Sequence, residues 1–233
     1  SALTRIADSY ILQNSGPEIG VAATKTFTSQ VLVLAKLSIR TARELGAIGS
    51  SEAGKLLSAI SKAPEVAAIS IDRSEPIAKE LAEKYRDANN FCYLGRGLGY
   101  SVAMEGRLKL LEISYIPAIC YPAGESKHGF ISVIYEGYPT VFVAPNDETR
   151  RRIIGNIMEV RARGADVISL VEEGDSEIAE LSTHVMEMPK LPTKLLIPIA
   201  YVIPLQLFAY YMAVARGLDP DKPRSLAKSV TVE

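Results

Sequence analysis

Histidine and cysteine are scarce in this sequence, which has two of each among 233 residues. Cys92 and Cys120 lie in apolar stretches without CxxC spacing, and we expect them to be small buried residues of a protein from a reducing compartment. Two distant histidines, His128 and His184, do not complete a metal ligand set with these cysteines. The sequence therefore predicts neither a metal nor another cofactor.

A surplus of charge of either sign is also missing. The 26 Lys and Arg residues are balanced by 27 Asp and Glu residues, for a net charge of -1. The longest basic run is Arg150-Arg151-Arg152. Such a balance gives no electrostatic attraction toward nucleic acid or an acidic membrane, and we expect no partner of either class.

No secretory signal is visible at the start, where Ser1 to Arg5 runs into mixed polar sequence, and the missing initiator Met suggests a piece of a longer protein. One uncharged stretch, residues 195–215, is long enough to cross a bilayer. Pro198, Pro204, Gln206 and three tyrosines interrupt it, and no second span follows. We expect a core helix buried against a parallel sheet, in a cytoplasmic protein.

Short apolar runs alternate with helical patterns in the second half of the sequence. The predicted strands are residues 91–94, 119–121, 140–144, 167–171 and 184–188. This alternation is typical of a parallel sheet covered on both faces, which predicts an α/β fold: a three-layer α-β-α sandwich with a doubly wound sheet. Ligands of such folds bind outside the carboxyl ends of the strands.

The first 90 residues are predicted to be nearly all helical. Periodicity predicts helices at residues 25–46, 51–62 and 75–87, with a connector that begins at Ala63-Pro64. We divide the chain into residues 1–70, which are helical, 71–217, which form the α/β domain, and 218–233, which form a tail. Pro220 and Pro223 favour an irregular path for the tail.

Glycines 95, 97 and 99 follow the first predicted strand. They suggest a loop whose backbone can approach a ligand, before a helix that begins near Tyr100 or Ser101. The spacing matches neither a Walker loop nor the dinucleotide fingerprint. No nucleotide is therefore implied.

A polar constellation follows on that helix. Glu105, Lys109 and Glu112 are four and three residues apart and so share one helical face. The same spacing is also that of a plain surface ion pair, so it does not by itself identify a site. His128 lies in the next polar cluster, and Lys228 lies near the C-terminus. Carboxylate, imidazole and amine are the groups that move protons and form imines with carbonyl compounds.

Four segments, taken in order, resemble the isomerase half of the glutamine:fructose-6-phosphate aminotransferase family, the glucosamine-6-phosphate synthases. They are Leu94 to Gly97, Glu105 to Tyr115, Gly124 to Gly129 and Leu226 to Glu233, and the similarity begins near Gly16. The resemblance implies the second of two sugar isomerase (SIS) domains, with residues 1–70 as a helical remnant of the first. It also implies conversion of fructose 6-phosphate to glucosamine 6-phosphate, with ammonia from a glutaminase domain of the intact enzyme.

The resemblance implies roles for five residues. Glu112 matches the acid/base that moves a proton between C1 and C2 of the sugar. Lys228 matches the lysine that forms an imine with the open-chain sugar. His128 matches an imidazole that assists ring opening from the neighbouring subunit, which implies a homodimer. Lys109 and Glu105 match a supporting pair on the same helix face.

Val21, Ala23 and Ala227 match positions that line the sugar. The sequence departs from the family at Ala23, where a serine is common, and at Phe130, where a proline follows Lys-His-Gly. The first departure removes one hydroxyl contact to the sugar. The Ser/Thr-rich loops that grip the phosphate in the first SIS domain are absent from this sequence, so the resemblance implies a chain without its phosphate anchor.

Two other functions stay open. One is a non-catalytic SIS module that binds sugar phosphates and regulates a partner, and the other is a stand-alone aldose-ketose phosphate isomerase or a sugar-phosphate deaminase. The combination of Glu112, His128 and Lys228 favours catalysis, and the Lys228 tail favours a synthase. The absence of a glutaminase cysteine leaves deamination open.

Overall fold

The computed structural model describes residues 2–228. Its centre is a five-stranded parallel sheet, made of β1 (Phe91–Gly95), β2 (Ala118–Pro122), β3 (Pro139–Ala144), β4 (Asp166–Glu172) and β5 (His184–Met188). The strand order is β2-β1-β3-β4-β5, so the winding reverses between β1 and β3. This is the predicted doubly wound sheet, and every predicted strand is present to within one residue at either end.

Helices cover both faces of the sheet. The α-helices of residues 2–228 are α1 (Leu3–Ile6), α2 (Lys25–Glu44), α3 (Ser50–Ile60), α4 (Ala63–Lys84), α5 (Leu98–Ser114), α6 (Arg150–Arg161), α7 (Ser176–Leu181) and α8 (Ile197–Ala215). α4, α5 and α8 pack on one face with one apolar core, and α6 and α7 pack on the other face with a second core. The three-layer α-β-α sandwich is therefore confirmed.

α4 is longer than the sequence pattern predicts. It runs without a break over residues 63–84, so the connector expected from Ala63-Pro64 is wrong. Pro64 stands in the first turn, where its missing N–H would have no helical partner and its fixed φ suits the helix. Buried Val66 and Leu81 hold the helix in the core. The division drawn at residue 70 falls inside α4, and the three-part division of the chain stays a prediction.

α8 contains the long apolar stretch. The span Lys194–Ala215 is long and apolar enough to cross a membrane, yet 67% of its most apolar window is buried inside the protein. Phe208 and Met212 lie in the core. Gly106 of α5 permits this packing, because a Cβ there would lie 2.3 Å from Leu205 Cδ1. The stretch is a core helix, as predicted.

The glycines after β1 bring α5 close to the sheet. A Cβ on Gly95 would lie 2.5 Å from the backbone of Gly99, and one on Gly99 would lie 2.6 Å from the Val143 carbonyl oxygen. Gly97 has a φ of +52° and precedes α5, which begins at Leu98, earlier than predicted. The close approach expected of these glycines is therefore made to the protein's own backbone, and it positions α5.

Candidate active site

The predicted polar face of α5 is formed and is buried. Lys109 Nζ lies 2.8 Å from Glu112 Oε2 and 3.3 Å from Glu105 Oε1. The Lys109 side chain is 4% exposed, against 14% for Glu105 and 23% for Glu112. This buried group therefore differs from a solvent-exposed ion pair, which contributes little to stability. A buried lysine between two carboxylates fixes the direction of the Glu112 carboxylate and compensates part of its charge.

A second cluster surrounds Glu18, which precedes α2. Glu18 Oε1 accepts hydrogen bonds from the Thr24 and Thr26 N–H groups at 2.8 and 3.3 Å and from the Thr24 hydroxyl at 3.1 Å. Glu18 Oε2 accepts from the Thr26 hydroxyl. Burial raises the pKa of Glu18, but hydrogen bonds from Thr26, Lys228 and Thr24 outweigh it and lower the pKa from 4.5 to about 2. Glu18 is a fixed anion at a helix N-terminus, where the helix dipole favours negative charge.

Lys228 binds this anion from the other end of the chain. Its Nζ donates to Glu18 Oε2 at 2.9 Å and to the Gly20 carbonyl oxygen at 2.7 Å. The Glu18 side chain in this pair is 6% exposed, whereas that of Lys228 is 43% exposed. The amine is therefore held on one side and open on the other.

The tail that carries Lys228 follows an irregular path, as predicted, through residue 228; residues 229–233 lie outside the described part. Two contacts guide it. The Val21 N–H donates to the Asp221 carbonyl oxygen at 3.1 Å, and the Arg224 N–H donates to the Tyr115 hydroxyl oxygen at 2.6 Å. The Arg224 guanidinium also lies 4.3 Å from the centroid of the Tyr115 ring. Tyr115 ends α5, so the tail is tied to the helix that carries Glu112.

Both clusters border one cleft of about 390 Å³. Glu18 and Lys109 line it, together with Ile113 of α5 and Gln206 and Tyr210 of α8. A cleft of this size takes a small ligand. Glu105 instead borders a larger apolar groove of about 710 Å³ between α2, α5 and β2. The smaller cleft is where amines and carboxylates converge, and it is the candidate active site.

His128 lies on a different part of the fold from the cleft. It ends a 3-10 turn, Ala123–His128, and is exposed. The adjacent Lys127 Nζ lies 2.7 Å from Glu159 Oε1 of α6, so the turn belongs to the face of the sheet opposite α5. Within residues 2–228 no hydrogen bond joins His128 to Glu112 or Lys228. One copy of the chain thus does not bring the predicted imidazole to the cleft.

Two of the three predicted sugar-lining residues, Val21 and Ala227, lie near Lys228. Val21 contributes backbone, since its carbonyl oxygen is 3.5 Å from Lys228 Nζ. Ala23 lies in the turn before Thr24, and Ala227 is exposed beside Lys228. It is the neighbouring Ala22 that lines the cleft.

The other departure, Phe130, has a packing role. Its side chain is buried and stacks on Tyr121, with ring centroids 5.7 Å apart. The Phe130 ring also contacts Tyr138 edge-on, with ring centroids 6.0 Å apart. The aromatic side chain thus anchors the loop that follows His128.

Glu18, Thr26 and Tyr115 were missed as site residues by the sequence analysis. Glu18 and Lys228 are 210 residues apart, and no periodicity relates them. A negative residue shortly before a predicted helix start was the available signal. The second histidine, His184, begins β5 with its ring edge-on to Tyr85, as a structural residue would. In the described part of the chain, no group of three His, Cys, Asp or Glu side chains is placed to hold a metal ion.

Comparison with known protein families identifies the fold. The family model for the SIS domain matches residues 84–216, more than half of the chain. The chain belongs to the SIS domain family. Glu105, Lys109, Glu112 and His128 lie inside the matched SIS domain, whereas Glu18 and Lys228 lie outside it.

Individual relatives match this chain beyond residues 84–216. An isomerizing glutamine–fructose-6-phosphate aminotransferase of Thermococcus kodakarensis is 46% identical over all 233 residues, and that of Aquifex aeolicus is 47% identical over the same length. The chain spans 38% of the length of each. A solved structure, the C-terminal domain of glucosamine-fructose-6-phosphate aminotransferase from Francisella tularensis, is 34% identical with a TM-score of 0.91, covering 95% of this chain and 62% of that chain.

Proposed function

We propose that this chain is the sugar-isomerising part of a glutamine:fructose-6-phosphate aminotransferase. It converts fructose 6-phosphate to glucosamine 6-phosphate, with ammonia supplied by a glutaminase domain of the full-length protein. The observation that carries the proposal is that Glu18 and Lys109 line one cleft, with the Lys228 amine paired to Glu18 and Glu112 paired to Lys109. Relatives named for this reaction, which match along the whole chain, support it.

Glu112 acts as the acid/base. It takes a proton from C1 of the aminated sugar, which gives a C1=C2 enolamine, and returns the proton at C2. The C1 hydroxyl loses its proton to water, so the C2=N double bond is replaced by the C1=O double bond of the aldose. The ion pair with Lys109, at 2.8 Å, orients the carboxylate for both transfers. Glu105 supports Lys109 from the preceding turn.

Lys228 forms the imine with the open-chain sugar. Its ammonium first loses a proton to water, and the amine then attacks the C2 carbonyl carbon, so that a C–N bond forms and the carbonyl oxygen leaves as water. Ammonia then adds to C2 and the Lys228–C2 bond breaks, which frees the lysine amine and leaves the ammonia nitrogen on C2. The open side of Lys228 supports this role, since 43% of its side chain is exposed.

His128 serves the cleft of a neighbouring copy in a homodimer. Its position on the face of the sheet opposite α5 supports catalysis in trans, because its own Glu112 lies on the other side. We place the protein in the cytoplasm, since Cys92 and Cys120 are both free thiols.

Borohydride trapping tests the proposal. Treatment of the full-length protein with fructose 6-phosphate and borohydride should leave a reduced adduct on Lys228, located by mass mapping. Lys228→Arg should abolish the adduct, whereas Lys222→Arg, in the same tail, should keep it. An adduct on Lys109 or Lys127, or one that survives in Lys228→Arg, would contradict the assignment.

A product assay separates the two alternatives. A synthase forms glucosamine 6-phosphate from fructose 6-phosphate only when ammonia or glutamine is present. A deaminase releases ammonia from glucosamine 6-phosphate, and a regulatory module binds sugar phosphate without turnover.

A further inference from the structure

We propose that Glu18 is the positioning residue for Lys228: its carboxylate and the Gly20 carbonyl oxygen together hold the Lys228 ammonium at the cleft and so fix the docked position of the tail. The contact stands on the structure alone, whereas its effect on catalysis rests on the proposed function. Glu18 itself contacts no reacting atom in this role.

The geometry of the Glu18 carboxylate suits an anchor. Three donors from Thr24 and Thr26 meet Oε1, while the Thr26 hydroxyl and Lys228 Nζ meet Oε2. Donors on both oxygens prevent rotation of the carboxylate. The ammonium is therefore directed by a rigid acceptor, which is what positions a flexible lysine side chain.

The backbone beside Glu18 is shaped for the tail. Gly20 supplies the second acceptor, at 2.7 Å from Lys228 Nζ. A Cβ on Gly20 would lie 2.9 Å from Asp221 Oδ1, the movable end of that side chain, and 3.8 Å from Asp221 Cα, so the tail passes close beside Gly20. The same stretch pairs with the tail through Val21 and Asp221. One short segment thus contacts the tail through both its anion and its backbone.

Lys25 and Asp221 also line the cleft, and the carboxylates of the two clusters divide between Lys109 and Lys228. Glu105 and Glu112 pair with Lys109, and Glu18 pairs with Lys228. Among residues 2–228, Glu18 is the carboxylate within 4 Å of Lys228 Nζ. Because its pKa is only about 2, Glu18 is a poor proton acceptor. Its role is to hold the ammonium rather than to deprotonate it.

Hydrogen exchange on this chain tests the anchor without any sugar. The readouts are the amide protons of Val21 and Arg224, which both report tail docking. Glu18→Gln keeps an acceptor for Thr24 and Thr26 and removes the charge. We expect exchange to be about tenfold faster in Glu18→Gln and in Lys228→Met, as for loss of a charge-assisted hydrogen bond.

The double variant, Glu18→Gln with Lys228→Met, distinguishes an anchor for Lys228 from a purely structural residue. If Glu18 acts through Lys228, the double variant exchanges no faster than either single variant. The matched control is Glu52→Gln, an exposed glutamate in the first turn of α3, which should leave both amides unchanged. Exchange within twofold of wild type in Glu18→Gln, or an equal acceleration in the Lys228→Met background, would overturn the inference.

Kinetics of the full-length protein test the catalytic consequence. Glu18→Gln should lower kcat about tenfold while KM for fructose 6-phosphate stays within about twofold, because the sugar contacts are kept and the amine is misplaced. Glu18→Asp, which keeps the charge, should recover part of kcat. If wild type forms no glucosamine 6-phosphate, the proposed function fails while the exchange cycle still tests the anchor. If wild type is active and Glu18→Gln has the same kcat, the inference fails alone.

Discussion

Lys109 and Lys228 belong to the two clusters that border the cleft, and they differ in their freedom of movement. Lys109 is almost fully buried and lies between two carboxylates of its own helix, whereas Lys228 is held by one carboxylate and is nearly half exposed. Removing one partner of a buried ion pair leaves an uncompensated charge, so substitution of Lys109 would be destabilising. Its burial between two carboxylates also restricts the movement of the side chain. Lys109 is thus suited to orient a neighbour, and Lys228 is suited to react.

Glu112→Gln tests the acid/base in the full-length protein. The amide keeps the shape of the side chain and removes the proton acceptor, so we expect sugar isomerisation to fall at least about 100-fold. Glutamine hydrolysis, which occurs in another domain, should be unaffected. Separate assays of glucosamine 6-phosphate and glutamate measure the two activities. Isomerisation within about tenfold of wild type, a loss of ~1.4 kcal/mol of transition-state stabilisation, would contradict the role.

Acid should weaken the Glu18–Lys228 contact only at a pH well below the ordinary range of a carboxyl group. The pKa of Glu18 is lowered on folding from 4.5 to about 2, so its contribution to stability is fully present above pH 4.5 and is lost as the pH falls through about 2. The Thr26 amide chemical shift, followed by NMR, should therefore stay constant from neutral pH to about pH 5 and titrate only below that. In Glu18→Gln this titration should be missing. A Thr26 transition at pH 5 or above that persists in Glu18→Gln would show that another group controls this contact.

At the level of elements, the sequence patterns succeed where burial follows a regular spacing. Each central strand is buried on both faces and therefore appears as a short apolar run, and the polar face of α5 follows from helical spacing alone. The start of α4 escapes the pattern, because Ala63-Pro64 favours a connector whereas Pro64 stands in the first turn of the helix. The Glu18–Lys228 contact joins distant segments through hydrogen bonds, which leave no pattern in the sequence.

Alanine substitutions at two glycines, one at the contact between α5 and α8 and one away from it, test this packing. Gly106→Ala puts a Cβ 2.3 Å from Leu205 Cδ1, so the helices must separate, at a cost of about 1–3 kcal/mol of unfolding free energy. Gly155→Ala in α6 meets nothing within 4 Å and should stabilise by roughly 0.5–1 kcal/mol through helix propensity. Urea denaturation of both variants measures the difference. A Gly106→Ala variant as stable as wild type would contradict the close packing.

The whole molecule presents apolar surface along α2. Leu34 and Leu37 are 60% and 44% exposed, Leu45, the residue after the helix, is 79% exposed, and Ile39 is the one fully buried residue of α2. Apolar residues gathered on one helix are typical of a surface that contacts other protein.

Catalysis in trans can be tested by mixing two inactive full-length variants, Glu112→Gln and His128→Ala. A two-fold dimer with exchanged subunits has one intact site in each mixed dimer, so about a quarter of wild-type activity should return. Sedimentation of each variant at micromolar concentration should show a dimer. A monomer, or a mixture that stays inactive while subunits exchange, would remove the argument for His128 in trans.

The Glu18–Lys228 contact has a consequence for how the protein is made. A ribosome synthesises Glu18 long before Lys228, and domains fold as units during synthesis. The α/β sandwich between them can thus be complete while the amine of the cleft is still missing. The Glu18–Lys228 contact is therefore among the last contacts of residues 2–228 to form as the chain is made, and it joins a segment that precedes the sandwich to one that follows it.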